Sequence, residues 1–210
     1  MEQDRMSERT GLEQLIARLR PLTDGPQRRL VALAGPPAAG KSHVSEALTR
    51  ALPGAGLLQM DGFHLDDRLL RQRGMLARKG APETFDLDGL SVMLDRLAAD
   101  DGRDVLVPLF DRSIETSRAA AAEIPSGARL ILVEGNYLLL DRPGWRDLAR
   151  HFALTVMLEA PEPILRARLQ ARWAGHDPDT LRLKLDGNDL PNMRLVMEAS
   201  RPADLILPTG

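Results

Sequence analysis

The chain has 210 residues, 43% of them hydrophobic, 28% charged and none cysteine. One soluble domain with an ordinary core is therefore expected, and neither a disulfide framework nor a thiolate metal site can form. Its 28 basic and 30 acidic residues are interspersed and leave a formal net charge of −2, which lacks the one-sided excess of a nucleic-acid binder and makes nucleic acid an unexpected partner.

The opening MEQDRMSERT has no apolar core of an export signal, and no apolar run approaches the roughly 20 residues that cross a bilayer. A cytoplasmic protein without membrane insertion is the expectation. Thr10 and Glu13 have capping-box spacing, and Leu12, Leu15, Ile16 and Leu19 recur at helical intervals before Pro21 and Gly25-Pro26 break the pattern. Residues 1–25 are thus read as a leading helix docked on a domain spanning 26–210. Leu30 to Ala34 is a short apolar strand ending at Gly35, and a helix follows from Lys41 to about Leu52. Leu57 to Met60 is a second strand closed by Asp61-Gly62. Leu65 to Arg73 is helical, and the basic stretch from Gly74 to Phe85, with Gly80 and Pro82, is a loop. Leu87 to Ala98 regains helical spacing and Val105 to Phe110 is strand-like. Ala128 to Val133 is a β-rich run that stops at Glu134-Gly135-Asn136, and Leu154 to Leu158 repeats that design. Pro161 and Pro163 suit the first turn of a helix running to about Trp173. Leu181 to Leu185 and Arg194 to Ala199 are further helices, and Leu205 to Leu207 is a last strand. Short apolar strands alternating with helices imply an α/β fold with a mainly parallel sheet covered on both faces and ligands at the carboxyl ends of its strands.

Gly35-Pro36-Pro37-Ala38-Ala39-Gly40-Lys41-Ser42 satisfies G-x-x-x-x-G-K-[ST] at every fixed position, with a strand before it and a helix after it. In such a loop backbone N–H groups, including those of the helix start at His43, converge on phosphate oxygens, and the helix dipole adds positive charge. Lys41 would bridge the outer phosphates and the Ser42 hydroxyl would ligate Mg²⁺. Neither N-K-x-D nor L-S-G-G-Q occurs, which favours a kinase over a guanine-nucleotide switch or a transport motor. Asp61, at a strand end, can accept the proton of an attacking hydroxyl if its strand lies beside the phosphate-loop strand; capping the next helix, or holding Mg²⁺ through water, is the other reading.

The ordered set GPPAAGKS, MDGFH at 60–64, RKGAPETFD at 78–86, VPLFDRS at 107–113 and VEGNYLLL at 133–140 resembles the pantothenate kinase, uridine kinase and phosphoribulokinase group, most of all its bacterial fructose-transport-kinase-like branch. That resemblance implies a P-loop three-layer α/β/α sandwich with a small helical lid at about 162–192, using ATP and Mg²⁺ to phosphorylate a small-molecule hydroxyl. It matches Asp61 to the family's aspartate base and Glu134 to its acidic residue, which binds Mg²⁺ or holds substrate. It assigns Arg78 and Lys79 to the acceptor loop, or else to a solvated basic turn. Phe110, Asp111 and Arg112 fall in the segment that meets acceptor, although Asp111 and Arg112 could pair with each other. His64, Asn136 and Tyr137 join the acceptor candidates; a surface-facing or satisfied place for His64 and a core place for Tyr137 are equally open.

Arg166, Arg168 and Arg172 lie on the helix after Pro163, and 168 and 172 share a face at i, i+4, which suits a lid closing over phosphates. Asn188, Asp189 and Asn192 are candidates for adenine or for lid closure. Aromatics make up only 3% of the chain, which disfavours base stacking and favours a sugar acceptor over a nucleoside. No sustained heptads occur, so a monomer and a homodimer both remain open.

Overall fold

The computed structural model describes residues 7–210; the first six residues of the expected 1–25 unit, with most of the stretch read for an export signal, lie outside them. In chain order the elements are β1 (Glu8–Arg9), α1 (Leu12–Leu19), β2 (Arg29–Ala34), α2 (Lys41–Ala51), β3 (Gly56–Gln59), α3 (Asp67–Gln72), α4 (Leu87–Ala99), β4 (Val105–Asp111), β5 (Thr116–Ile124), β6 (Leu130–Gly135), β7 (Phe152–Glu159), α5 (Glu162–Arg172), α6 (Pro178–Lys184), α7 (Leu190–Ala199) and β8 (Leu205–Pro208). Six strands form a parallel sheet in the order β1-β8-β7-β2-β6-β3. β6 is buried at every position and β2 at every position after Arg29, as befits central parallel strands covered on both faces.

Alternate residues of β2 divide the core. Val31 and Leu33 pack with Leu48 of α2 and Leu165 and Leu169 of α5 on one face. Ala32 and Ala34 join Leu90, Leu94 and Leu97 of α4 on the other. This is the three-layer sandwich of the P-loop proteins. At roughly 1.5–3 kcal/mol for each fully buried aliphatic side chain, these two layers dominate the fold's stability. No helix among the described residues is long and apolar enough to cross a membrane.

Three sequence expectations need correction, and the adjacency on which the reading of Asp61 from spacing depended is not met. β6 lies between β2 and β3, so the strand leading to Asp61 is not the neighbour of the phosphate-loop strand; Glu134 is, in register with Leu33 on one side and Gln59 on the other. β4 does not join the parallel sheet but pairs antiparallel with β5, whose alanine-rich TSRAAAAEI, with only Ile124 buried, carries no strand signal. Helix α1 is capped at Gly11, where Gln14 Oε1 accepts the Gly11 N–H at 3.0 Å. Thr10 is not the cap: the first helical bond, from Leu15 N–H, goes to Gly11 O, and the Thr10 hydroxyl donates to that same carbonyl at 3.3 Å, with no helix N–H bonded to the hydroxyl among the described residues. The stretch read as a loop from Gly74 to Phe85 contains two single 3-10 turns, Leu76–Arg78 and Pro82–Thr84.

Candidate active site

The loop 35–40 joins β2 to α2 at the carboxyl edge of the sheet. Its two glycines serve different ends. A Cβ on Gly35 would come within 2.9 Å of Leu158 O, so only glycine lets the loop leave beside β7. Gly40 has open space around it but a φ of +85°, a left-handed conformation that L side chains rarely adopt. Pro36 and Pro37 have no N–H, and Ala39 N–H is spent on Pro36 O at 3.1 Å. The backbone donors left to meet a phosphate are those of Ala38 and Gly40 in the loop and of residues 41–43 at the start of α2, where helix geometry leaves N–H groups without internal partners.

A cavity of about 550 Å³ opens above this loop. Pro37, Ala38, Gly40, Lys41, Ser42 and His43 form its floor, and Asp61, His64, Lys79, Phe110, Arg112, Glu134, Asn136, Arg168 and Arg172 contribute to its walls. A larger hollow of about 730 Å³, mostly apolar, runs along β8 and α7 and holds neither Lys41 nor Ser42; the chemistry belongs to the smaller one.

Lys41 is buried, its ammonium donating to Pro36 O at 3.1 Å. Burial pushes it down to about 8, against the opposing pull of the Glu134 and Asp61 carboxylates. Ser42 Oγ lies 3.4 Å from Glu134 Oε1, and Gln59 Nε2 lies 3.5 Å from Glu134 Oε2. Burial raises the Glu134 carboxyl above the usual carboxylate range, partly countered by Lys41. Asp61 sits on the single turn Met60–Phe63 just past β3, where its Oδ2 accepts a 2.6 Å hydrogen bond from Arg112.

His64 is wedged between Phe85 and Phe110, with ring centroids 4.1 and 4.6 Å away. Its Nδ1 lies 2.8 Å from Asp61 O. A carbonyl can only accept, so Nδ1 carries the hydrogen and Nε2 is left as an acceptor. Burial also lowers the ring's basicity, favouring this neutral form.

The structure separates the remaining candidates. Tyr137 is fully buried, its hydroxyl donating to Gly80 O at 2.6 Å and its ring edge-on to Phe85 and Trp145. It is a core residue that props the 78–80 loop, and it does not line the cavity. Arg78 also turns away, donating to Gly187 O at 3.0 Å and lying 3.7 Å from Glu83. Gly35 stays beneath the floor, Ala39 packs in the core, and Pro36 borders the other hollow. Lys79 does face the cavity, 5.1 Å from the Phe110 centroid and tied to Asp67 and to Glu115 O. Asp111 and Arg112 do not pair with each other: Asp111 takes Arg118 and Ser113, and Arg112 takes Asp61.

Arg168 donates to Ala38 O at 3.3 Å and to Thr209 O at 2.7 Å, while Arg172 reaches toward Asp189 at 4.0 Å. Arg166 is not on the cavity wall. Sequence reasoning missed Phe85, although it lies in the RKGAPETFD motif, and Glu115, Trp173 and Lys184, which no motif marks, among the lining residues.

The π-turn Leu185–Asp189 binds the far side of the cavity together. Asn188 Nδ2 donates to Lys79 O at 2.7 Å and Asp189 accepts from Trp173 Nε1 at 2.8 Å. Asn188 Oδ1 in turn receives Asn192 Nδ2 at 3.1 Å, which leaves Asn192 Oδ1 a buried acceptor without a partner among the described residues.

Residues 30–186 match the sequence profile of the AAA domain family. A provisionally named fructose transport system kinase from Silicibacter sp. TM1040 is 44% identical, with a TM-score of 0.83 over 93% of this chain and 96% of that one. The uncharacterized protein YggC of Escherichia coli (strain K12) is 36% identical over 88% of this chain and 80% of its own length. A provisionally named uridine kinase, C227.14 of Schizosaccharomyces pombe (strain 972 / ATCC 24843), is 28% identical over 86% and 83%. Fold, loop and relatives agree that the chain belongs to the AAA domain family and is one of its P-loop kinases.

Proposed function

We propose that the protein transfers the γ-phosphoryl group of ATP, with Mg²⁺, to a hydroxyl of a sugar of the fructose class or a closely related small cytoplasmic metabolite. The observation that carries the proposal is the convergence of Asp61, just past the end of β3, and Lys41, at the start of α2, on a single cavity. A phosphate held on residues 40–43 and a hydroxyl held at Asp61 would face each other there. The 44% identical relative, named for fructose transport, supports the acceptor class.

In this reading Lys41 holds the outer phosphates, and their negative charge offsets the cost of its burial. Ser42 and Glu134 present a hydroxyl and a carboxylate 3.4 Å apart beside the loop, a donor pair that fits Mg²⁺, which takes one or two carboxylates and completes its shell with phosphate and water. No larger His/Cys/Asp/Glu cluster suited to a metal occurs among the described residues. When bound, Mg²⁺ would neutralise charge on the phosphates. Asp61 takes the proton of the acceptor hydroxyl as its oxygen attacks phosphorus, a contribution of about 10²–10⁴ in rate. Arg168 and Arg172, on the helix that opens the proposed lid at 162–192, stabilise charge on the transferring group. His64 Nε2, Lys79, Phe110, Arg112 and Asn136 contact the acceptor.

A panel of sugars, nucleosides and pantothenate, scored by acceptor-stimulated ADP release, tests this proposal. A sugar is expected to stimulate, and Asp61→Asn is expected to abolish the stimulation while ATP still binds. Silence across the whole panel would favour an ATP-binding regulator without an acceptor. A nucleoside is the second reading, favoured by the tilted aromatic cluster of Phe85, His64 and Phe110 on the cavity wall. The chain is poor in aromatics, but it concentrates them where a base could stack.

A further inference from the structure

The hairpin of β4 and β5 lies directly on the turn that carries Asp61. A Cβ at Gly62 would come within 2.5 Å of Pro108 O, Ser117 Oγ donates to His64 O at 3.1 Å, and Lys79 holds Glu115 O at the hairpin tip. Arg112, the first residue of that tip, is brought by this backing onto Asp61 Oδ2 at 2.6 Å, although its side chain is 70% exposed and has open solvent available. Ion pairs this exposed form weakly in isolation; here the hairpin supplies the placement. Arg112 thus takes one of the two Asp61 oxygens that an acceptor hydroxyl could use.

We infer that Arg112 latches Asp61 while the acceptor site is empty, so that phosphoryl transfer to water is held down until an acceptor hydroxyl displaces the guanidinium. The inference rests on the proposed role of Asp61 as base. The reaction suppressed is attack of a water oxygen on the γ-phosphorus. Its P–O bond forms as the bond to the β–γ bridging oxygen breaks, ADP departs, and the water proton passes to Asp61. With Arg112 on Oδ2 that proton has one fewer oxygen to go to. An arriving acceptor replaces the lost hydrogen bond with its own O–H, so opening the latch is coupled to correct occupancy. Arg112, besides meeting the acceptor, then discriminates alcohol from water through its hold on Asp61.

The test measures ADP release from Mg-ATP by the full chain, with no acceptor present. Arg112→Gln, which removes the cation and keeps a polar side chain, is expected to hydrolyse ATP about fivefold faster than wild type, the scale set by the strength of an exposed ion pair. Arg112→Lys, which keeps the charge, is expected to return most of the way to the wild-type rate, a rescue that a merely structural role would not produce. ATP affinity, measured calorimetrically, should be the same in all three. In Asp61→Asn combined with Arg112→Gln the gain should vanish. An Arg112→Gln rate equal to wild type at unchanged ATP affinity overturns the latch. So does a gain that survives in the double variant, because the released carboxylate is then not its source. Failure of the kinase reading looks different: Asp61→Asn alone would leave acceptor-stimulated turnover intact.

Discussion

Replacing Tyr137 with phenylalanine isolates one hydrogen bond. The ring is fully buried and sits edge-on to Phe85 and Trp145 at 5.7 and 5.4 Å, contacts that phenylalanine keeps. Only the 2.6 Å bond from the hydroxyl to Gly80 O is lost. A net hydrogen bond contributes about 1 kcal/mol, rising to about 3 kcal/mol if the abandoned carbonyl stays dry. Gly80 is half-buried and borders the cavity, so water can reach its carbonyl and the lower figure applies. For a chain of this size a loss of 1 kcal/mol lowers the melting temperature by about 2–4 °C. In urea the midpoint should fall with the slope unchanged, and the acceptor KM should stay within about twofold, on the order of 0.4 kcal/mol of binding. Unchanged stability together with a raised acceptor KM would refute the reasoning, since Tyr137 would then be touching substrate.

Two other outcomes follow from the same geometry. Burial holds Lys41 at about 8, below its ordinary 10.5; between those values the unfolded chain keeps a proton that the folded chain has lost, so folded stability rises with pH through that window. The ligand-free wild type should therefore gain up to roughly 3 kcal/mol relative to Lys41→Met between pH 8 and 10.5, measured by urea unfolding; parallel pH profiles would show that Lys41 is not held down by burial. Gly62→Ala forces a methyl against Pro108 backbone, which cannot rotate aside as a side chain could. An overpacking cost of about 1–3 kcal/mol and a slower acceptor-dependent rate are expected, and wild-type behaviour in both would contradict the close approach of the hairpin.

The phosphate loop was legible in the sequence because its function is local. A run of adjacent residues, bounded by an apolar strand and a helix, carries its own backbone geometry, and Gly35, Gly40, Lys41 and Ser42 occupy the places their pattern requires. The central strands were legible for a similar reason: a strand buried on both faces must be apolar at every position, as β6 is. What the sequence could not determine was adjacency. Nothing in Leu57 to Met60 says that β6 will lie between it and β2, because parallel strand order is set by how crossover helices pack and not by the composition of any one strand. The hairpin strand β5 was invisible for a related reason, since it is alanine-rich with a single buried residue, and pairing with β4 alone makes it a strand. The same limit governed the side chains. Arg112 and Asp61 are far apart in the chain and meet only because the hairpin is laid on Gly62, and Tyr137 and Arg78 were drawn off the cavity by Gly80 and Gly187 carbonyls that needed donors. The sequence by itself marked the loop with the phosphate-binding pattern; tertiary structure alone decided which carboxylates stand beside it and which cation pairs with Asp61, because both depend on contacts between segments that no local pattern encodes.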